Sequence, residues 1–386
     1  MRPTVLTFLV AALTQTAACR VGDASRNTMP PLKVTYMVDT SSADRKEILK
    51  LWSDYLAARP HSYAPKPQWS AAEQKQWPIF DLATPTAYAT DDQYRRTHAT
   101  VFEISPAHPA DSREYVIRTH FFRPETATDE ERAAIIRVYA TRENGRWVLA
   151  NALPRLTERW ERTAFELITY VHPPGYQLDT TRARMAIRFI DSLVTTFGAP
   201  TMKPITYYLA RSPEEAFALG GVDLYIPGSR ARTPVADYLL FSGVPRYGEF
   251  YAHELVHLTL GWMLPSLGAP PLLDEALALW LGGGREMTWP QLLEELAIEV
   301  RRNPSWTAEQ LTEVRPQTFL YRNTAAAALL VLAHARGGIP MLKAALRSPP
   351  TRRGYDYVGG VAAAMHLTRG EVEDAFHQLV LGTPAQ

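Results

Sequence analysis

Residues 253–257 read His-Glu-Leu-Val-His, so two imidazoles and one carboxylate fall within five positions. In an α-helix the residues at i and i+4 lie on one face, about 6 Å apart along the axis, so His253 and His257 can converge on one metal ion. Glu254 lies one step round the helix, where its carboxylate can act as a base on a water molecule without being a ligand. Because a histidine on an apolar helix is more commonly a packing residue, this pattern needs a further ligand before it indicates a metal site.

A second apolar segment, residues 272–281, follows a Pro-rich turn and carries Asp274 and Glu275 in its first turn. Acids in the first turn of a helix interact favourably with the helix dipole, and that effect is a sufficient explanation for Asp274. Glu275 follows His257 by eighteen positions, which leaves room for the chain to turn and return. Its carboxylate could therefore be the third ligand of a His2Glu zinc site with the fourth position open for water.

Together the two segments resemble the gluzincin metallopeptidases, in which a second helix reading roughly W-L-x-E-G-x-A supplies the third zinc ligand. Leu272 stands where that group often has Trp, and Ala276 stands where it often has Gly. The resemblance implies a zinc-dependent peptidase with one Zn²⁺ per chain and Glu254 as the general base. The metal ligands that it implies are His253, His257 and Glu275.

Three further features bear on this resemblance. A metzincin is excluded, because Leu260 and Met263 occupy the positions of the Gly and the final His of that pattern. Residues 220–242 would hold the edge strand that binds substrate backbone, and they lack the aminopeptidase motif G-x-M-E-N, which favours an endopeptidase. Tyr321 resembles the gluzincin tyrosine whose phenol supports the tetrahedral intermediate, although a tyrosine that only packs its ring at a helix start explains it equally well.

The composition is that of an ordinary globular protein. The chain has 386 residues, of which 46% are hydrophobic and 21% charged, enough for two domains and a leader. The net charge is +1, without a basic tract, so nucleic acid is not an expected partner. The expected partner is a peptide or protein substrate, and no feature of the sequence indicates an oligomeric state.

Residues 1–19 have the layout of a signal peptide, with an apolar stretch followed by small residues. Cys19, the single cysteine, resembles the lipidated cysteine of a bacterial lipobox, although Thr16 departs from the usual Leu. The alternative is a plain secretory signal that is cleaved near Ala18. Both interpretations predict an exported protein, which is either a lipoprotein of the cell envelope or a secreted or periplasmic protein. The only membrane attachment expected is that lipid anchor.

The predicted fold class is α+β. After a linker at residues 20–32, residues 33–155 are expected to form a small α+β domain that resembles the NTF2-like fold. Its predicted helices are 42–58 and 70–77, and its predicted strands are 99–104, 114–122, 134–141 and 146–152.

Residues 158–383 are expected to form the zincin-like peptidase domain, with a small sheet, helices and an all-helical C-terminal part. Its predicted strands are 164–171 and 204–210. The predicted helices are 181–197 and 212–219 before the site and 288–301, 307–314, 325–335 and 368–381 after it. The competing hypothesis is a zinc-stabilised, non-catalytic binding or scaffold protein of the cell envelope, in which another side chain closes the metal site or a loop buries it.

Overall fold

The computed structural model describes most of the chain, in thirteen segments. They are residues 29–58, 66–76, 81–84, 91–108, 111–123, 133–199, 202–226, 239–261, 263–267, 269–313, 319–347, 349–351 and 354–382. Cys19, the predicted signal peptide and most of the predicted linker lie outside the described residues. So do residues 227–238 of the predicted edge-strand region.

The first part of the chain forms helices and a sheet, in agreement with the α+β prediction. Its helices are α1 (Ala43–Ala57), α2 (Ala71–Gln76) and α3 (Asp91–Arg96), and its strands are β1 (Lys33–Val34), β2 (His98–His108), β3 (Asp111–Phe122), β4 (Ala133–Glu143) and β5 (Arg146–Ala150). The strands pair in the order β1 to β5, with β1 parallel to β2 and the rest antiparallel. Asn144 and Gly145 both have positive φ and close the β4–β5 hairpin that the Asn-Gly pair predicts. The resemblance to the NTF2-like fold stays a prediction.

One face of this sheet is covered by aromatic side chains of α1. Trp52 and Tyr55 are fully buried and stack on each other, and the Trp52 ring packs edge-on against Phe121. The indole N–H of Trp52 donates to the hydroxyl of Thr119 at 2.9 Å, which satisfies both buried polar groups. This core therefore combines aromatic burial with satisfied polar groups, including the buried carboxylate of Asp81, which accepts from the Tyr55 hydroxyl at 2.6 Å.

A sixth strand, β9 (Val222–Ile226), pairs antiparallel with β4 in the same sheet. It comes from the part of the chain that the sequence assigns to the peptidase domain. Asp223 on this strand pairs with Arg118 at 2.8 Å and with Arg137 at 3.0 Å. The first sheet therefore combines β1 to β5, which precede the predicted boundary at residues 155–158, with β9, which follows it.

A second sheet is formed by β6 (Glu161–Phe165), β7 (Ile168–His172), β8 (Ile205–Leu209) and β10 (Leu239–Ser242). Its order is β10-β8-β7-β6, with β7, β8 and β10 parallel and β6 antiparallel to β7. The prediction of one strand over residues 164–171 is wrong, because the chain reverses at Glu166, whose φ is 51°. No Gly, Asn or Pro marks that turn in the sequence.

Helices cover the second sheet on both faces. They are α4 (Ala152–Leu156), α5 (Thr180–Phe197) and α6 (Pro213–Leu219). Asp179 caps α5 by accepting hydrogen bonds from the backbone N–H groups of Thr181 and Arg182. The apolar face of α5 then packs on the sheet through Ala183, Ala186 and Ile190, as the periodicity predicts.

The C-terminal part is helical, as predicted. Its helices are α7 (Ala252–Leu260), α8 (Met263–Leu267), α9 (Pro271–Gly282), α10 (Trp289–Arg302), α11 (Ala308–Glu313), α12 (Phe319–Ala345), α13 (Tyr357–Met365) and α14 (Arg369–Leu381), with a short hairpin of β11 (Pro350–Thr351) and β12 (Gly354–Tyr355). Together α7 to α14 enclose one large apolar core.

Helix α12 is the central helix of this core. Within the described chain, Tyr321–Ala345 is long and apolar enough to cross a membrane by length and composition alone. However, residues 325–330 are fully buried among the other helices, and the helix is interrupted where Gly337 and Gly338 leave helical φ and ψ. Both observations are those of a core helix. The glycine pair interrupts α12 where the sequence predicts its end, but the helix begins at Phe319, earlier than predicted, and the chain is helical again up to Ala345.

Candidate metal centre

Helix α7 lies between the two apolar cores of the C-terminal half. Leu255 and Leu258 pack into the core of the second sheet, whereas Val256 and Leu260 pack into the helical core. The remaining face of α7 carries His253 and His257 towards α9. This division of one short helix explains why the segment is apolar on nearly every side and still presents two imidazoles on one face.

Glu275 is brought to the same place by the N-terminal part of α9, just after its first turn, and α9 packs on α7. Pro271 stands at the first helical position of α9, where its missing N–H has no intrahelical partner to lose. Within the described residues, the atoms of His253, His257 and Glu275 that could bind a metal all lie within 4.8 Å of one another. The predicted ligand trio is therefore assembled in three dimensions.

The separations within the trio fit a tetrahedral ion. The two Nε2 atoms are 3.2 Å apart, and the Glu275 oxygens lie 3.5 Å from Nε2 of His253 and 3.6 Å from Nε2 of His257. Ligands bound to zinc at 2.0 to 2.2 Å in a tetrahedron are roughly 3.3 to 3.6 Å from one another. The donor set consists of two imidazole nitrogens and a carboxylate, which suits a transition-metal ion better than Mg²⁺ or Ca²⁺.

The other ring nitrogen of each histidine is bound by the protein. Nδ1 of His253 lies 2.6 Å from the carbonyl oxygen of Gly283, and Nδ1 of His257 lies 2.9 Å from Oδ1 of Asp274. A carbonyl oxygen and a carboxylate can only accept, so each Nδ1 carries a proton, and Nε2 is the nitrogen that a neutral ring leaves for a metal ion. When both rings are neutral, their Nε2 lone pairs face each other beside a carboxylate, and positive charge among them, from a ring proton or a metal ion, removes the repulsion.

The pKa shifts of the trio are those of a site that holds positive charge. Burial alone lowers the pKa of His257, but hydrogen bonds with Asp274 and Glu275 outweigh it and raise that pKa to about 10. His253 shows the same balance, because the hydrogen bond with Glu275 and the charge of Glu254 raise its pKa despite burial. Burial raises the pKa of Glu275, yet the two imidazoles lower it well below its usual value.

Glu254 is buried beside the trio but is not a member of it. Its side chain is on α7, one residue after His253, and its charge raises the pKa of both histidines. Among the described residues, the group of converging ligand atoms contains only the two histidines and Glu275. The role of Glu254 as a base stays a prediction.

The chain thus carries a His-His-Glu group that could hold a metal ion, with the spacing of the H-E-x-x-H motif. A comparison of the sequence with protein-family models finds no match, and neither does a comparison with curated proteins. The functional conclusion therefore depends on the chemistry of the site itself.

Tyr321 lies at the start of α12, partly exposed, with its ring packed against the helical core. Burial is the main cause that raises the pKa of its phenol. The charges of Glu299 and Glu295 on α10 raise that pKa further, and those of Arg302 and Arg285 lower it. Its predicted role with the substrate stays a prediction. The region predicted to hold the edge strand contains two described strands: β10 ends the second sheet in the described part of the chain, whereas β9 pairs with the first sheet.

Two groups at the site were missed in the sequence. Asp274 orients His257 in addition to interacting with the helix dipole, and the Gly283 carbonyl orients His253. The sequence signal for Asp274 is its position next to the third ligand. A side chain there can reach Nδ1 of an imidazole whose Nε2 faces that ligand. Every residue has a backbone carbonyl, so the residue types in the sequence give no signal for the contact between Gly283 and His253.

Proposed function

We propose that this protein is a zinc-dependent peptidase, and that it is an endopeptidase. The observation that carries the proposal is the set of three ligand groups at tetrahedral separations, with the Glu254 carboxylate buried on the next residue. A site with three protein ligands leaves the fourth position for a water molecule or substrate, as catalytic zinc sites do.

The ligand set supports zinc as the ion. His253 and His257 would bind through Nε2 and Glu275 through its carboxylate, while Asp274 and the Gly283 carbonyl hold the two rings in place. When bound, zinc would supply Lewis acidity that polarises the scissile carbonyl and makes water more acidic.

In this proposal the chain's own contribution to the reaction centres on Glu254. Its carboxylate would accept a proton from the attacking water and then donate that proton to the departing amine. Burial of Glu254 beside the imidazoles keeps bulk water away and strengthens its interaction with the reacting groups. The phenol of Tyr321 is proposed as a further hydrogen-bond donor to the intermediate, and an unchanged kcat in a Tyr321→Phe variant would remove that role.

The proposed substrate is a peptide or protein that binds in an extended conformation. Strand β10 is hydrogen-bonded to β8 along one side, and it is the last strand of the second sheet in the described part of the chain. In this proposal substrate backbone adds a strand to this sheet; because the four residues of β10 are buried, the groups that cover its outer side must be displaced first. Binding through backbone groups favours unfolded or flexible segments of a protein over folded ones.

The substitution Glu254→Gln tests this function. It keeps the size of the side chain but removes the base, so cleavage of unfolded casein should fall about 10²- to 10⁴-fold while the zinc content stays at that of the wild type. The matched control is Glu161→Gln, an exposed glutamate on β6, which should cleave like the wild type.

An active Glu254→Gln protein would contradict the mechanism. A different outcome would favour the competing scaffold hypothesis, namely wild-type protein that retains zinc but cleaves no member of a broad peptide library.

A further inference from the structure

A strained turn lies directly behind His253. Gly284 and Met287 exchange two backbone hydrogen bonds, of 2.9 and 2.8 Å, and the two residues between them, Arg285 and Glu286, have φ of 50° and 62°. Two successive positive φ values are typical of a type I′ turn, which favours Asn and Gly. Left-handed backbone costs about 1 kcal/mol or more for each residue with a larger side chain, so other contacts must hold this turn.

The contact that holds the turn is made by Tyr247. The backbone N–H of Glu286 donates to the Tyr247 hydroxyl oxygen at 2.6 Å. The Tyr247 ring is itself fixed, because it stacks on Tyr251 with ring centroids 4.0 Å apart and planes within 7°. Its backbone carbonyl accepts a hydrogen bond from Arg182 at 2.8 Å. An ion pair between Arg246 and Glu286 at 3.3 Å is exposed and contributes little.

The turn is connected to the metal centre through the residue before it. The carbonyl oxygen of Gly283 accepts the hydrogen bond from Nδ1 of His253, and the φ of Gly283 is 73°. A Cβ placed on Gly284 would lie 3.6 Å from the same nitrogen. The position of the turn therefore determines the position of the carbonyl that fixes the tautomer and the direction of the His253 ring.

We propose that Tyr247 is a positioning residue of the metal centre, which acts by bracing the turn at residues 284–287 and thereby holding the Gly283 carbonyl against His253. This inference rests on the proposed function, because the ring is positioned for a metal ion. Tyr247 comes six residues before the H-E-x-x-H motif, and no part of that motif predicts a role for it.

The variant Tyr247→Phe tests this hydrogen bond, because it keeps the ring stack on Tyr251 and removes only the hydroxyl that accepts from Glu286. The Kd for zinc, measured by competition with a chromophoric chelator, should rise about tenfold, as for loss of other groups that orient a metal ligand. The matched control is Tyr176→Phe, which removes a phenol that donates to Glu249 at 2.9 Å, away from the turn. It should keep the wild-type Kd.

A second substitution tests whether the loss of zinc affinity in Tyr247→Phe is caused by a change in the turn at residues 284–287. Glu286→Gly removes the strain at one of the two left-handed positions, so the turn can form without the brace. Adding Glu286→Gly to the Tyr247→Phe variant should restore most of the lost zinc affinity. Glu286→Gly also removes the ion pair with Arg246, so Arg246→Ala is the control for that loss. It should leave the zinc Kd unchanged.

A readout without metal completes the test. In metal-free protein with isotope-labelled histidine, the Nδ1–H of His253, identified by its loss in a His253→Gln variant, should exchange slowly with water in the wild type and faster in Tyr247→Phe. Equal exchange rates, a zinc Kd that changes less than about twofold, or no recovery on adding Glu286→Gly would each overturn the proposal. Wild-type protein that binds no zinc would defeat the proposed function instead, and the exchange rates would still decide the role of Tyr247.

Discussion

Each imidazole of the metal centre has one nitrogen bound by the protein and one directed at the other ligands. Gly283 and Asp274 accept from the two Nδ1 atoms, so both rings present Nε2 without any rearrangement. The two acceptors differ in charge. A carboxylate increases the basicity of the imidazole that it holds more than a carbonyl does, so we expect His257 to be the stronger of the two nitrogen ligands.

The role of Asp274 can be measured with two substitutions. Asp274→Asn keeps an oxygen acceptor but removes the charge, and Asp274→Ala removes both, so the zinc Kd should rise about 10-fold and about 100-fold, respectively. Competition with a chelator gives both values. The control is Asp191→Asn, an exposed acid on α5. If both Asp274 variants bound zinc like the wild type, Asp274 would serve the helix dipole alone.

The pKa shifts predict how the metal-free protein responds to pH. The pKa of His257 is raised from 6.5 to about 10, so its contribution to stability is complete below pH 6.5 and is lost as the pH rises to 10. The pKa of Glu275 is lowered, so its contribution is present above 4.5 and is lost as the pH falls below that value. The contribution of this site to the stability of the metal-free protein should therefore be greatest between pH 4.5 and pH 6.5.

Urea unfolding of chelator-treated protein at about pH 6 and about pH 9 measures this effect. The wild type should lose free energy of unfolding between the two values, and a His257→Gln variant should lose less. A wild type that becomes more stable over this range relative to His257→Gln would contradict the upward shift.

At the scale of elements, the site depends on how closely α9 approaches α7. A Cβ added to Gly282, at the end of α9, would lie 2.5 Å from the backbone nitrogen of His253. No real Cβ takes such a contact, so the two helices can meet there only because residue 282 is glycine. The same approach places the N-terminal part of α9, with Glu275, opposite the two histidines.

Gly282→Ala should therefore displace α9 from α7. Overpacking of this kind destabilises by about 1 to 3 kcal/mol, and the displacement should also weaken zinc binding because it moves Glu275 relative to the imidazoles. Urea unfolding and chelator competition measure the two effects. Gly370→Ala, in α14 where an added Cβ meets nothing within 4 Å, should be neutral or slightly stabilising. Equal behaviour of the two variants would show that the contact of Gly282 is unimportant.

The sequence was informative where the determinants are local. Helices α7 and α9, the three ligands and Glu254 follow from the i and i+4 spacing and from one acid at a helix start. The reversal at Glu166 was missed because no turn residue marks it, and the place of β9 was missed because strand pairing across the chain has no local pattern. Asp274 and Gly283 were missed for a related reason, since their partners are on another helix.

At the scale of the molecule, the first sheet and the C-terminal half are joined by more than the chain between them. Strand β9 pairs with β4, and Arg118 and Arg137 form ion pairs with Asp223 on that strand. The segment after β9, residues 227–238, leads to β10 at the end of the second sheet. We therefore expect the first sheet to influence the position of the strand that is proposed to bind substrate.

We propose that the protein is exported and held at the cell envelope through a lipid on Cys19. The basis is the sequence alone, namely the apolar stretch and small residues before that cysteine. A wild-type protein found entirely in the soluble fraction would favour the plain signal peptide instead.

The central claim is that His253, His257 and Glu275 hold one metal ion, and metal content tests it most directly. Elemental analysis of dialysed wild-type protein should give one zinc per chain, and His257→Ala and Glu275→Ala should each lose most of it, because two remaining ligands bind zinc weakly. His334→Ala, a histidine of α12 whose ring contacts Trp280, should keep the full content. Wild-type protein without zinc, or a His257→Ala protein that retains one zinc per chain, would contradict the account.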